Sequence, residues 1–240
     1  MSSNLPADFP LPDGQVLRQL RARLILRGDP DFPVGLRDLP DPPRFLTVLG
    51  HLPLQGVAIV GSRTPSKEAE EFTFLLARSI REPVISGLAT GIDTAAHRGA
   101  LAGDNPTLAY VGNGIATVYP PQNAPLAARI VASGGGVASA EMSHDEVTDA
   151  ALVRRDSFQA AHARAVVLVC SESNGGAMHT IRFARQLRRP TFALTAQDGP
   201  EFAGNREALC SGAVALPWNV KGALRVLHGK MSELNDATSL

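Results

Sequence analysis

From Val57 onward, short apolar runs recur along the chain: VAIVG, PVISG, TLAYV, GVASA, AVVLVC, PTFAL and AVALP. Runs this short, rich in valine and isoleucine and bounded by glycine or proline, predict strands. The segments between them carry a helical period instead. Between the first two, Ala69, Phe72, Leu76 and Ile80 fall at spacings of three and four, beside Lys67, Glu68, Glu70 and Glu71. That is one apolar stripe on a helix that covers a sheet. AVVLVC is apolar on both faces, as a parallel sheet with helices on either side requires. The alternation predicts an α/β protein with an extended Rossmann-like, doubly wound, mostly parallel sheet.

The flanks lack this rhythm. Residues 1–55 are rich in proline and aspartate, with FPVGLRDLPDPPRFL at their centre, and read as an irregular collar holding one short helix from Val16 to Leu26. Residues 56–220 form the Rossmann-like domain, and residues 221–240 read as a short amphipathic helix with the polar tail SELNDATSL. A chain of 240 residues, 44% of them hydrophobic, buries one substantial core rather than two.

Charge and cysteine usage narrow the classes. Lysine plus arginine equals aspartate plus glutamate at 23 each, so attraction to nucleic acid has to come from a local patch. Such a patch is present: Arg154, Arg155, Arg164, Arg182, Arg185, Arg188 and Arg189 face only Asp156 and Glu172 in the same segment. Cys170 and Cys210 form no CxxC pair and read as reduced, buried thiols. The N-terminus MSSNLPADFP has no basic n-region or apolar h-region, and no run of about 18 apolar residues occurs. A cytoplasmic protein without a membrane partner is expected.

Doubly wound sheets bind ligands outside the carboxyl ends of their strands, so the loops there carry the candidate chemistry. In VGSRTPS, Gly61 and Ser62 end a strand and deliver Arg63 to that edge, either as a phosphate ligand or as a solvated loop cation. In ISGLATGIDTAAHRGAL, Ser86 and Gly87 end the next strand, and Gly91 permits close backbone approach. The helix starting near Ile92 then presents unpaired N–H groups, an anion cradle. Asp93 caps that helix and complements its dipole. His97, four residues on, shares its face and braces it or positions a ligand. In SESNGGAMHT, Gly175 and Gly176 form either a second cradle or a tight turn. Arg154, Arg155 and the nearby Phe158 are the parts of a single-strand platform, in which phosphates pair with cations and bases stack on rings.

GSR at 61–63, SGLATGIDTAAHRGAL from Ser86, GNGIATVYPPQN from Gly112 and AGNREALCSGA from Ala203 occur in the order and spacing of the DNA-processing protein A family, also called Smf. The resemblance spans about Asp29 to Leu216, and the collar is similar to that family's FPxxLxxIxDPP lead-in. It implies a Rossmann-like homodimer that binds single-stranded DNA and helps load a RecA-type recombinase in natural transformation, with no catalysis and no cofactor. Carried onto this sequence, the DNA-binding residues are Gly61, Ser62, Arg63, Ser86, Gly87, Ala89, Gly91, Ile92, Asp93, Arg154, Arg155, Phe158, Gly175, Gly176, Thr180 and Asn205. His97 and Asn123 are structural. The chain departs from the family where RNRxIAGLS is usual: RDSFQAAHA from Arg155 puts Asp156 for asparagine and Ser157 for the second arginine. It is read as a short form, without the N-terminal helical and C-terminal winged-helix domains of many members.

Three other readings use loops of this kind. NGGAMHT is a loose echo of the PGGxGTxxE of phosphoribohydrolases, but Ile181, Arg182 and Phe183 stand where the acid belongs. Gly112 and Gly114 follow a strand as a dinucleotide motif would, with Thr117 in place of the third glycine and the next acid, Glu141, too distant. A sensor of a nucleotide-derived small molecule would share the phosphate chemistry and differ in footprint. The histidines show no metal-ligand spacing.

Overall fold

A computed structural model of the chain describes residues 10–53 and 55–238. Its first half runs α1 (Gly14–Leu20), β1 (Arg23–Leu26), α2 (Val34–Arg37), β2 (Phe45–Gly50), β3 (Gly56–Val60), α3 (Lys67–Ser79), β4 (Val84–Ser86), α4 (Ile92–Ala102) and β5 (Thr107–Val111). The second half runs α5 (Ala124–Ala132), β6 (Gly136–Ser139), α6 (Asp149–His162), β7 (Ala163–Leu168), α7 (Ala177–Gln186), β8 (Thr191–Leu194), α8 (Ala203–Cys210), β9 (Val214–Leu216) and α9 (Val220–Thr238). The strands form one sheet in the order β1-β2-β6-β5-β4-β3-β7-β8-β9. The seven from β3 to β9 are mutually parallel, each at one of the apolar runs.

Side chains on β3 show why both faces must be covered. Val57 and Ile59 join one buried cluster with Phe72, Leu76 and Ile80 of the α3 segment, while Ala58 and Val60 join another with Phe158, Met178 and Ile181 from α6 and α7. Successive strand residues point to opposite faces, so a strand between two helical layers is apolar at every position. Ser66 caps α3 by accepting the Ala69 N–H at 3.2 Å, and Glu68 and Glu70 complement the helix dipole in the first turn.

The flanks differ from the sequence reading. The helix expected from Val16 to Leu26 stops at Leu20: Arg21 is left-handed at φ 54° and its N–H turns back to the Arg18 carbonyl. RLIL then runs as β1, antiparallel to β2, and β2 is antiparallel to β6, so the collar supplies two strands of the sheet. At the other end α9 continues through most of the expected polar tail, with Ala223, Leu227 and Met231 buried. Residues 1–9, on which the leader reading mostly rests, and the last two residues of the tail lie outside the described residues. No described helix is long and apolar enough to cross a membrane.

Strand order reverses at β3, whose neighbours are β4 on one side and β7 on the other. The chain after β4 winds away toward β6 and returns through α6 to β7. This switch leaves a crevice beyond the carboxyl ends of β3, β4 and β7, where such sheets hold ligands.

Candidate nucleic-acid interface

The crevice is a cleft with two lobes of about 460 and 530 Å³, joined where Arg63, Ala89, Leu152 and Arg155 line both. The loops are tied to one another at its floor. Ser62 N–H donates to the Cys170 carbonyl at 2.8 Å, Ile92 N–H to the Ser62 carbonyl at 3.1 Å, and the Thr90 hydroxyl to the Arg63 carbonyl at 3.1 Å. Gly91, at φ +70°, permits that contact, since a Cβ there would press on the Ser62 carbonyl.

The outer lobe is walled by Arg63, Gly87, Thr90, Asn113, Tyr119 and Gln122. Its lining holds two arginines and no carboxylate, although Arg155 is paired with Asp93 and Asp156 from beneath. Arg63 is exposed and forms no salt bridge among the described residues. Tyr119 is 40% exposed and offers a ring face. Asn113 holds its own loop by donating to the Gly114 and Thr117 carbonyls at 3.0 and 2.9 Å, and its Oδ1 is buried without a partner. Sequence reasoning missed Asn113, Tyr119 and Gln122. Their signal was available, because GNGIATVYPPQN follows β5 just as the other cradle loops follow their strands.

The inner lobe has the opposite character. Gly61, Ser62, Gly175 and Gly176 line it as expected, but so do Asp93, Asp149, Asp156, Glu172 and Glu201. Five carboxylates against Arg63 and Arg155 make it a poor place for a phosphate. Among the described residues no group of His, Cys, Asp and Glu is arranged to hold a metal ion. The expected cradle before α4 is also spoken for: Asp93 Oδ2 accepts the N–H groups of Gly87 and Ala89 at 3.1 and 3.3 Å, and the Ile92 N–H is bound to Ser62. Asp93 therefore completes the loop in place of an anion.

Arg155 sits between the lobes, 6% exposed. Its Nη1 lies 3.6 Å from Asp93 Oδ2 and its Nε 3.4 Å from Asp156 Oδ1. Asp156 is pushed up to about 7, chiefly by burial. Arg155 opposes that shift, Asp93 adds to it and Arg63 opposes it. Its carboxyl is thus partly protonated at neutral pH.

Several expected DNA contacts lie elsewhere. Phe158 is 1% exposed and packs edge-to-face on Tyr110 at 5.9 Å, so it is a core residue and cannot stack a base. Asn205 is fully buried. It accepts the Ser171 N–H at 3.0 Å and donates to the Val169 and Leu194 carbonyls, bracing the loop after β7 from behind. Ser86 is buried with its hydroxyl on the Ile59 carbonyl at 2.8 Å, and Thr180 is buried inside α7. Arg154 pairs with Glu141 and lines a separate apolar hollow with Leu39 and Phe183. Asn123 braces the cleft loop by donating to the Leu88 carbonyl at 2.8 Å and to Thr94 Oγ1 at 2.9 Å. His97 does not bond Asp93. Its Nδ1 meets Thr107 Oγ1 at 2.7 Å, and because that hydroxyl donates to the Val84 carbonyl, Nδ1 carries the proton. Burial, then the charge of Arg155, lowers His97 to about 3.

The arginine excess between 154 and 189 is largely answered by acids and carbonyls from other elements. Arg164 pairs with Glu82 at 3.3 Å, Arg182 with Glu207 at 3.5 Å, and Arg189 donates to the Ala161 carbonyl. Arg164 also lines a groove formed with collar residues such as Phe32 and Pro33, away from the cleft. The buried thiol of Cys170 is pushed up by desolvation, while Cys210 is exposed rather than buried.

The family described as DNA recombination-mediator protein A matches residues 23–226. Protein Smf of Synechocystis is 30% identical over 193 residues, covering 74% of this chain and 47% of its own length. The chain spans about half the length of the curated relatives it matches. The DNA processing protein A of Streptococcus pneumoniae superposes with a TM-score of 0.76 at 26% identity, over 85% of this chain and 75% of its own. That of Helicobacter pylori, whose structure concerns its single-stranded DNA binding mode, superposes with a TM-score of 0.76 at 24% identity, over 88% and 97%.

Proposed function

The chain belongs to the DNA recombination-mediator protein A family, and from that premise we propose that it binds single-stranded DNA in the cleft without catalysing a reaction. On this reading it acts in the cytoplasm as a homodimer that passes the strand to a RecA-type recombinase during DNA uptake or recombination. The observation that carries the proposal is the outer lobe: an exposed arginine with no salt bridge among the described residues, a second arginine behind it and a half-exposed tyrosine ring, with no carboxylate in the lining. Cations that neutralise phosphates supply sequence-independent affinity, and a ring face stacks any base.

Arg63 takes a backbone phosphate and Tyr119 a base. Arg155, held by Asp93, sets the potential from the floor rather than reaching out.

The test is equilibrium binding of a fluorescent single strand across a salt series, with duplex and a mononucleotide as competitors. A strong preference for the strand and a steep salt dependence are expected. A mononucleotide that binds while the strand does not would overturn the proposal in favour of a small-ligand sensor.

A further inference from the structure

The inner lobe contains buried polar groups that the fold leaves short of partners, all on α6. The Nε of Arg155 and the Oε1 of Gln159 are buried with no hydrogen-bond partner, and both residues line the lobe. Between them is Asp156, whose Oδ1 stands 3.4 Å from Arg155 Nε and 3.4 Å from Gln159 Nε2. Buried polar atoms are nearly always paired in folded proteins, so adjacent unpaired ones on a cavity wall point to a ligand that completes them.

Their chemistry specifies the ligand. In order they present a donor, an acceptor and an acceptor: the Arg155 N–H, the Asp156 carboxylate and the Gln159 carbonyl. The complementary edge is planar and reads acceptor, donor, donor. Among nucleobases that is guanine, with O6, N1–H and N2–H₂. Thymine, reading acceptor, donor, acceptor, sets its O2 against the Gln159 carbonyl. Cytosine is mismatched at all three positions, and adenine places an amine opposite Arg155. The acids on the facing walls, Asp93, Glu172 and Glu201, favour a donor-rich edge and exclude a phosphate from this lobe.

We infer that the inner lobe is a guanine-selective base site, in which Arg155, Asp156 and Gln159 read the base while its phosphate stays on Arg63 in the outer lobe. The inference rests on the cleft holding nucleotide phosphates as proposed above. It assigns to Asp156 a role that an asparagine would fill less well, since a carboxylate accepts both guanine N–H groups and an amide oxygen has one acceptor atom.

The pH dependence follows from the charges around Asp156: Arg155 and Asp149 on its own helix, Asp93 from α4, Arg63 from the loop after β3, and Glu172, His179 and Glu201 across the lobe. Reading guanine requires the ionised carboxylate, so selectivity grows as pH rises through about 7.

The experiment compares the full chain's affinity for a short oligothymidylate with that for the same strand carrying one central guanine, at one salt concentration, at pH 6 and pH 8. A preference of about tenfold for the guanine strand is expected, larger at pH 8, and lost in Asp156→Asn and in Gln159→Met. Equal wild-type affinities overturn the inference and leave strand binding standing. Absence of binding to either strand overturns both. A guanine preference that survives both substitutions overturns the assignment to these residues. Should Gln159→Met fail to fold, the isosteric Asp156→Asn decides alone.

Discussion

The guanidinium of Arg155 occupies the space that a side chain at Gly87 would fill: a Cβ added to Gly87 would overlap Arg155 Nη1. The glycine just after β4 therefore leaves room for an arginine sixty-eight residues away, beside the switch point of the sheet. Gly87→Ala should displace Arg155 from Asp93 and cost about 1–3 kcal/mol of stability, the usual penalty for overpacking. Strand affinity should fall with it. Denaturant unfolding and strand titration check this, and an alanine variant with unchanged stability would show that Arg155 moves freely.

Arg63 is exposed, so replacing it should leave folding alone. Arg63→Ala is expected to keep its melting temperature and to reduce strand affinity, with the log–log salt slope falling by about 0.7, the amount for one phosphate contact on a single strand. An unchanged slope would mean that the outer lobe's phosphates are held by something other than Arg63.

These two residues show how much was legible in the sequence. Loops rich in glycine after apolar runs identify the ligand edge, because a parallel strand buried on both faces must end in a turn that lets the backbone emerge. That logic finds all seven parallel strands and puts Arg63 and Gly87 on the loops that follow two of them. It could not locate the role of Gly87, since the partner that needs the space comes from α6. The lone run RLIL carries too few residues to tell a strand from a helical turn, so the sequence alone does not separate β1 from the helix before it. Arg154 looked available for DNA because Glu141 lies on another element, and the acids of the inner lobe likewise come from separate parts of the chain.

Phe158 shows the limit of reading a helix face. It follows Arg155 by three residues, yet one turn along α6 carries the side chain from the sheet's edge to its centre, against Tyr110. Phe158→Ala should cost about 3–5 kcal/mol, as large core truncations do, and leave the strand affinity of the folded fraction unchanged. Tyr119→Ala should do the reverse, keeping stability and losing about 1–3 kcal/mol of strand binding through the lost stacking surface. Parallel melting and binding curves on the two variants separate a packed ring from a stacking one.

Asp156 gives a prediction with a definite sign. Its carboxyl titrates at about 7 in the fold, chiefly because it is buried, against 3.8 for an ordinary aspartate. Between those pH values the folded chain binds more protons than the unfolded one, so stability falls as pH rises through the window, at most by about 1.4 kcal/mol per pH unit. His97 acts oppositely. Lowered to about 3, again chiefly by burial, it contributes stability that is present above its ordinary 6.5 and is lost on acidification. The two slopes oppose each other between about pH 4 and 6.5. Asp156→Asn removes the first and exposes the second, so the variant should match the wild type near pH 4, gain on it steadily to about pH 7, and hold its advantage above that. Melting temperatures from pH 4 to pH 8 measure the difference directly. A constant gap across the range would mean that Asp156 is ionised throughout, and that the inner lobe is open to water in a way its burial does not allow.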